Sequence, residues 1–361
     1  LKVERSLPLL RELMARGAIV LVLTHIGRPT KRESSLSTRR LVPLLKTVYH
    51  LDLIFHGESL TDKNEHTRLK KSLAAAPPGS IHLLENVRFE TGEEKNSALL
   101  AKRYAGLADL FVNDAFASCH RDHASITGLT KHLPSYAGPA LIEEIEHLAP
   151  LLKNPKRPFV AVVGGKKLST KLPVVETLLK TCDTVMVGGA MAHVCLAAAG
   201  RSLGKSYLET DALKESKKLL QVKHLLLPRD VMVATKLKED EELECVPVEA
   251  IGKKEVVVDV GYATLKEWGK IIQQAKTILW NGPIGVSEIS SMRAGSRFMA
   301  KIIGARARGQ AVGIAGGGDT IPVILETKTQ TWFDFVSTGG GAMLEFFVKK
   351  GKLPGIVCLL K

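Results

Sequence analysis

Long apolar runs are missing from this 361-residue chain: no stretch of 18 apolar residues occurs, and the start at Leu1-Lys2-Val3-Glu4 carries no signal-peptide core. Neither a membrane span nor export is expected, and a cytoplasmic protein is the simplest reading. Cysteine is scarce as well. Cys119, Cys182, Cys195, Cys245 and Cys358 are odd in number, widely spaced and without a CxxC pair, which argues against a disulfide framework or a zinc ribbon. Aromatic residues make up only 5%, a poor supply for stacking single-stranded nucleic acid. The net charge of +14 favours a polyanionic partner, yet no block of five or six basic residues occurs, so nucleic acid is disfavoured. A nucleic-acid binder would show affinity that falls steeply with salt and ignores nucleotide. Three common nucleotide signatures are also absent: GxxxxGK[ST], GxGxxG with a ribose acid, and the protein-kinase set, since His120-Arg121-Asp122 has Thr127 where HRDxxxxN needs asparagine and no DFG occurs.

What is present is a repeated strand-then-helix rhythm. Short β-branched runs recur as AIVLVLT near 18, SIHLLE near 80, LFVND near 111, PFVAVVGG near 158, TVMVGG near 184, KTILWNG near 276, AVGIAGGG near 311 and WFDFVSTGGG near 332. Runs apolar throughout, each followed by helical periodicity, predict parallel sheets covered on both faces, hence a doubly wound α/β fold with two domains. An amphipathic helix from Pro139 to Leu152, stopped by Pro155 and Pro158, marks the boundary. The expected organisation is a first domain over 1–138, a hinge helix over 139–154, a second domain over 155–341, and a tail over 342–361 that has no core of its own and must dock.

Ligands in open parallel sheets bind beyond the carboxyl ends of the strands, so the residues there carry the argument. In the first half these ends bear Arg28, Arg88 and Arg121, and Arg offers a planar fork of donors suited to carboxylate or phosphate. Each alone reads as a salt-bridged surface residue; three at equivalent positions suit a small dianionic acid. Cys119, His120 and His123 share a loop but lack a fourth metal ligand, and polar loop packing is the plainer reading.

The second half ends its strands on glycine. Gly164 to Lys171, Gly316 to Thr320 and Ser337 to Ala342 each follow a strand and open a helix. Glycines let backbone N–H groups approach phosphate oxygens, and a helix N-terminus adds its dipole. Asp319 suits a hard Mg²⁺ ligand, with a helix N-cap as the competing role. Glu288 is either an acceptor for ribose hydroxyls or a solvated loop acid.

The series HIGRP, ENVRF, NDAFASCHRDHAS, GGKKLSTK, WNGPIGV, AGGGDT and STGGGA, in that order and at those spacings, resembles the phosphoglycerate kinases along essentially the whole chain. The resemblance implies two doubly wound domains joined by a hinge helix, with the C-terminal tail folded back on the first. It also implies reversible phosphoryl transfer between 1,3-bisphosphoglycerate and ADP, giving 3-phosphoglycerate and ATP, with Mg²⁺, in a cytoplasmic monomer. By motif, His25, Ile26, Gly27, Arg28, Arg88 and Arg121 fall on the acid-binding basic patch, and Lys167 on the lysine that accompanies the transferred phosphoryl group. Lys171, Asn281, Glu288, Gly317, Gly318, Asp319 and Thr320 fall on nucleotide-binding positions, with Asp319 as the metal ligand. Gly339, Gly340 and Gly341 supply phosphate-stabilising backbone.

Three departures stand out. The family's first strand, ending in Arg-x-Asp-x-Asn, has no counterpart here, and its catalytic arginine falls in register on Lys2. Ala190 interrupts a glycine run, and Ser287 replaces a phenylalanine. They leave a second expectation open, a kinase-like protein that binds nucleotide with little or no turnover.

Overall fold

A run such as Phe159–Val163 or Thr277–Asn281 buries every one of its residues, which requires layers on both faces of the strand. The computed structural model, which describes residues 2–360, provides those layers. The chain divides into two compact units, one of Leu1–Glu144 with Lys352–Lys361, the other of Ile145–Gly351.

The first unit opens with α1 (Lys2–Ala15), β1 (Val20–Val22), α2 (Leu41–Tyr49), β2 (Ile54–His56), α3 (Lys63–Ala74) and β3 (Ile81–Leu84). It continues through α4 (Ala98–Ala105), β4 (Phe111–Asn113), β5 (Ser135–Ala137) and the start of α5 (Pro139–Lys153). Local chemistry sets the ends: Asp62 accepts the N–H groups of Asn64 and Glu65 at 2.8 Å to open α3, and His50 closes α2 in the left-handed region. Leu69, Leu84, Leu100, Tyr104 and Leu129 form a buried core under α3 and α4. The sheet departs from expectation. β1, β3 and β2 form one parallel sheet in the order β1-β3-β2, while β4 pairs only with β5, so no ladder joins β1 to β4 among the described residues. The loops after β1 and β3 are tied by side chains instead: Asn86 Nδ2 donates to the carbonyls of Ile26 and Leu36 at 2.8 Å.

The second unit carries β6 (Phe159–Val163), α6 (Leu172–Thr181), β7 (Thr184–Val187), α7 (Ala190–Ala198), α8 (Leu213–Leu219) and β8 (Leu225–Leu226). β9 (Asp230–Ala234), β10 (Glu244–Pro247) and β11 (Val256–Val260) follow, then α9 (Tyr262–Gln274), β12 (Thr277–Asn281), α10 (Ala294–Ala307) and β13 (Val312–Gly316). α11 (Thr320–Glu326), β14 (Phe335–Ser337) and α12 (Gly341–Val348) complete it. Six strands form a parallel sheet in the order β14-β13-β12-β6-β7-β8, and β9 to β11 form a separate antiparallel sheet, β10-β9-β11, which the sequence reading did not anticipate. The apolar residues Ala342, Met343, Phe346 and Phe347 keep α12 in this unit, against α6. The returning segment therefore begins at Lys352 rather than at 342, and contains α13 (Pro354–Val357).

Candidate functional site

In the first unit the arginine-bearing loops converge. Arg88, whose side chain is only 3% exposed, donates from Nη1 to the Gly27 carbonyl at 2.6 Å and holds Nε 3.3 Å from Glu94 Oε1. Gly27 is in the left-handed region at φ 66°, where a side chain is strained. Burial pulls the Arg88 guanidinium below its usual range; Arg121 and Arg28 push the same way and Glu94 opposes them. Arg28, Arg88 and Arg121 therefore lie within electrostatic reach of one another. Arg88 Nη2 is buried without a hydrogen-bond partner among the described residues. An unpaired buried donor beside two further cations is an arrangement that an anion stabilises. His25 and Ile26 sit in the same loop, Ile26 through its backbone carbonyl. Lys2 is the first residue of α1, and its side chain lies outside the described residues. Cys119 is fully buried in loop packing, its thiol 3.4 Å from Asn113 Nδ2 and pushed up to about 12 by burial.

Behind these arginines lies a residue that the sequence reading passed over. Glu93 is 1% exposed and accepts from the backbone N–H and hydroxyl of Ser125, with His123 Nδ1 3.7 Å from its Oε1. Burial raises its carboxyl from 4.5 to about 7, against the pull of Ser125, Tyr104 and Arg88. In the sequence it is half of a Glu93-Glu94 pair that reads as solvated. A raised carboxyl contributes stability that is complete below its unfolded value of about 4.5 and is lost as pH rises through about 7, up to roughly 3 kcal/mol. Glu93→Gln cannot ionise. Its melting temperature relative to the parent chain is thus expected to climb between about pH 5 and 8; a constant offset would show that Glu93 does not titrate there.

In the second unit the glycine loops close around a common point. Gly164 is packed so tightly that a Cβ would lie 1.9 Å from the Pro283 carbonyl, and one on Gly282 would lie 2.2 Å from the Gly164 carbonyl. Only glycine fits at this crossing of the β6 and β12 loops. Lys171 Nζ donates to the Gly164 carbonyl at 2.6 Å and to Asn281 Oδ1 at 3.3 Å. Burial lowers this lysine to about 8, with Asp319 pulling it upward. Asn281 Nδ2 is a second buried donor without a partner among the described residues. Thr320 Oγ1 accepts the Gly282 N–H at 2.8 Å, joining the β13 loop to the β12 loop. Gly317 has φ 116°, and Gly340, at φ 51°, places its Cβ position 4.0 Å from the Gly318 N–H, so the β13 and β14 loops are neighbours. Gly339 donates its N–H to Ser337 Oγ, and Gly341 opens α12.

Asp319 precedes α11 but makes no side-chain capping bond, so the N-cap role does not account for it. Its exposed carboxylate beside Gly317 and Gly318 has the chemistry of a ligand for a hard cation. Among the described residues no group of three or more His, Cys, Asp or Glu is placed to hold a metal by itself. Lys167 is exposed on the loop before α6, and just after it that loop is anchored by Ser169 bonding to Glu209 and by Thr170 Oγ1 donating to the Lys167 carbonyl. Glu288 is exposed, with Oε2 3.4 Å from Ser287 Oγ.

Arginines gathered at strand ends in one α/β unit and glycine-rich loops at strand ends in another suit an enzyme that acts on small anionic molecules. The family model described as phosphoglycerate kinase matches residues 1–350. The chain belongs to that family. It is 39% identical to the phosphoglycerate kinase of Rhodospirillum centenum over 99% of this chain and 91% of the relative, and 37% identical to the cytosolic phosphoglycerate kinase 3 of Arabidopsis thaliana over 99% and 89%. Among solved structures, the phosphoglycerate kinase of Coxiella burnetii superposes with a TM-score of 0.80 at 38% identity, covering 99% of this chain and 90% of its own. That of Pyrococcus horikoshii gives 0.85 at 27%, with the same coverage.

Proposed function

We propose that the chain carries out its family's reaction, reversible phosphoryl transfer between 1,3-bisphosphoglycerate and ADP giving 3-phosphoglycerate and ATP, as a step of glycolysis. The first unit binds the acid and the second binds the nucleotide. The observation that carries this division is the pairing of an orphan guanidinium donor among three arginines with an orphan amide donor among four glycine-rich loops. Arg28, Arg88 and Arg121 hold the charged ends of the acid. Lys171, Asn281, the Gly317 to Thr320 backbone and the N-terminus of α12 at Gly339 to Gly341 hold the nucleotide phosphates, and Glu288 takes the ribose. Phosphoryl transfer asks little covalent chemistry of a protein, so these groups act by positioning and by neutralising charge. A bound magnesium ion would neutralise phosphate charge, and Asp319 is the residue that would hold it. Lys167 follows the moving phosphoryl group. Transfer needs the reacting atoms within about 3 to 3.5 Å, so the two units must approach about α5. The same reading makes the protein a cytoplasmic monomer; no helix among the described residues is long and apolar enough to cross a membrane.

Calorimetry with each ligand separately tests the division. Asp319→Ala is expected to weaken Mg-ATP binding and to leave 3-phosphoglycerate binding nearly unchanged, because a hard-cation ligand acts only where metal and phosphates meet. Equal loss for both ligands would make Asp319 a structural residue and remove it from the site.

A further inference from the structure

Both places where the chain passes between its units are gripped, inside the first unit, by one dipeptide. The chain leaves that unit along α5 after Glu144 and returns at Lys352. At the end of β4, Asp114 Oδ1 accepts the N–H of Ala140 at 2.8 Å and that of Leu141 at 3.4 Å. These are first-turn donors of α5, and Pro139 before them has no N–H to offer. Gly138 lies so close that a Cβ there would meet Asp114 Oδ1 at 2.3 Å, and its N–H donates to the Asn113 carbonyl at 2.9 Å. Asn113 turns to the returning segment. Its Nδ2 donates to the Gly355 carbonyl at 3.1 Å, while the Gly355 N–H donates to the Cys119 carbonyl at 2.8 Å. A Cβ on Gly355 would fall 2.8 Å from the Cys119 Cα, so this joint has no slack. The same dipeptide opens the loop that runs through Cys119 to Arg121.

Asp114 Oδ1 carries both capping bonds, and Oδ2 is buried without a hydrogen-bond partner among the described residues, an arrangement that costs stability.

We propose that Asn113 and Asp114 are positioning residues that couple occupancy of the acid site, through the loop ending at Arg121, to α5 and to the returning segment. The approach of the two units that transfer requires then depends on them. An acid that draws Arg121 inward displaces this loop, and the short joints at Ala140 and Gly355 pass the displacement to both connections with the second unit. The inference rests on the division of ligands proposed above.

The test uses the full chain with 3-phosphoglycerate and a non-hydrolysable ATP analogue, and reads compaction by small-angle scattering, acid affinity by calorimetry, and kcat and KM by a coupled assay. Folded Asp114→Ala is expected to bind the acid within about threefold of the parent, to lose compaction, and to fall at least about tenfold in kcat. Asp114→Asn, which keeps an acceptor oxygen, is expected to recover most of that rate. Parent-like compaction and kcat in Asp114→Ala would overturn the proposal, as would a loss of acid affinity that accounts for the whole decline. Should Asp114→Ala fail to fold, Gly138→Ala asks the same question with both hydrogen-bonding groups retained, since its methyl must displace Asp114. The same split between kcat and acid affinity supports the coupling, and an unchanged kcat overturns it. If the parent chain itself does not compact with both ligands, the division of roles fails, and the coupling with it.

Discussion

Lys167→Ala is expected to slow turnover by roughly a hundred- to a thousandfold while shifting the affinity for either ligand only slightly, the size of effect seen when one transition-state donor is removed. The loop explains the asymmetry. Its backbone is pinned where Gly164 presses on the Pro283 carbonyl and where Ser169 bonds to Glu209, yet the Lys167 side chain is exposed. A fixed base with an exposed ammonium suits the proposed role of following the phosphoryl group. An interaction made chiefly in the transition state lowers kcat and kcat/KM together. Single-turnover kinetics beside nucleotide titrations decide the matter: an effect confined to nucleotide affinity would make Lys167 a ground-state anchor.

Arg88→Ala is expected to weaken 3-phosphoglycerate binding by roughly ten- to a hundredfold, since a hydrogen bond to a charged group contributes about 1.5 to 3 kcal/mol. Nucleotide affinity should not move. Two losses add at this position: Nη2 no longer meets the acid, and the Gly27 carbonyl loses its 2.6 Å donor, which loosens the loop bearing Arg28. Arg88→Lys is expected to recover little of the affinity, because a point charge on a flexible stem cannot reach the Gly27 carbonyl and the acid at once. Unchanged acid affinity in Arg88→Ala would leave Arg88 as a strut for Gly27 and nothing more.

Much of this was readable from the residues because the geometry forces their identity. Gly164 and Gly282 cross at distances that no Cβ survives, and Gly317 and Gly340 take φ angles that other residues resist, so backbone demands left a mark in the sequence. The arginines were legible for a different reason, since each follows an apolar strand that itself stands out. Glu93 was not legible. An acid in the polar stretch between Gly92 and Lys95 looks solvated, and only packing against Ser125 and His123 buries it. The separate β4-β5 sheet escaped for a related reason: three-residue strands signal their existence but not their neighbours. The antiparallel β9 to β11 sheet lay in a stretch of the second domain for which no strand was proposed, because its short strands alternate with charged turns.

The first unit is built from two pieces of chain that lie far apart, and this bears on how the protein is made. Asn113 hydrogen-bonds to Gly355 across 242 residues of sequence, and every residue of the second unit lies between them. On the ribosome, β4 emerges long before the segment that completes its surroundings, whereas the second unit is continuous and can fold as soon as it is extruded. The order of synthesis is therefore not the order of completion: the unit begun first is finished last, by docking a short piece onto a partly formed body. Closing so long a loop is slow compared with local helix formation. During that interval the continuous second unit, glycine loops included, is free to assemble.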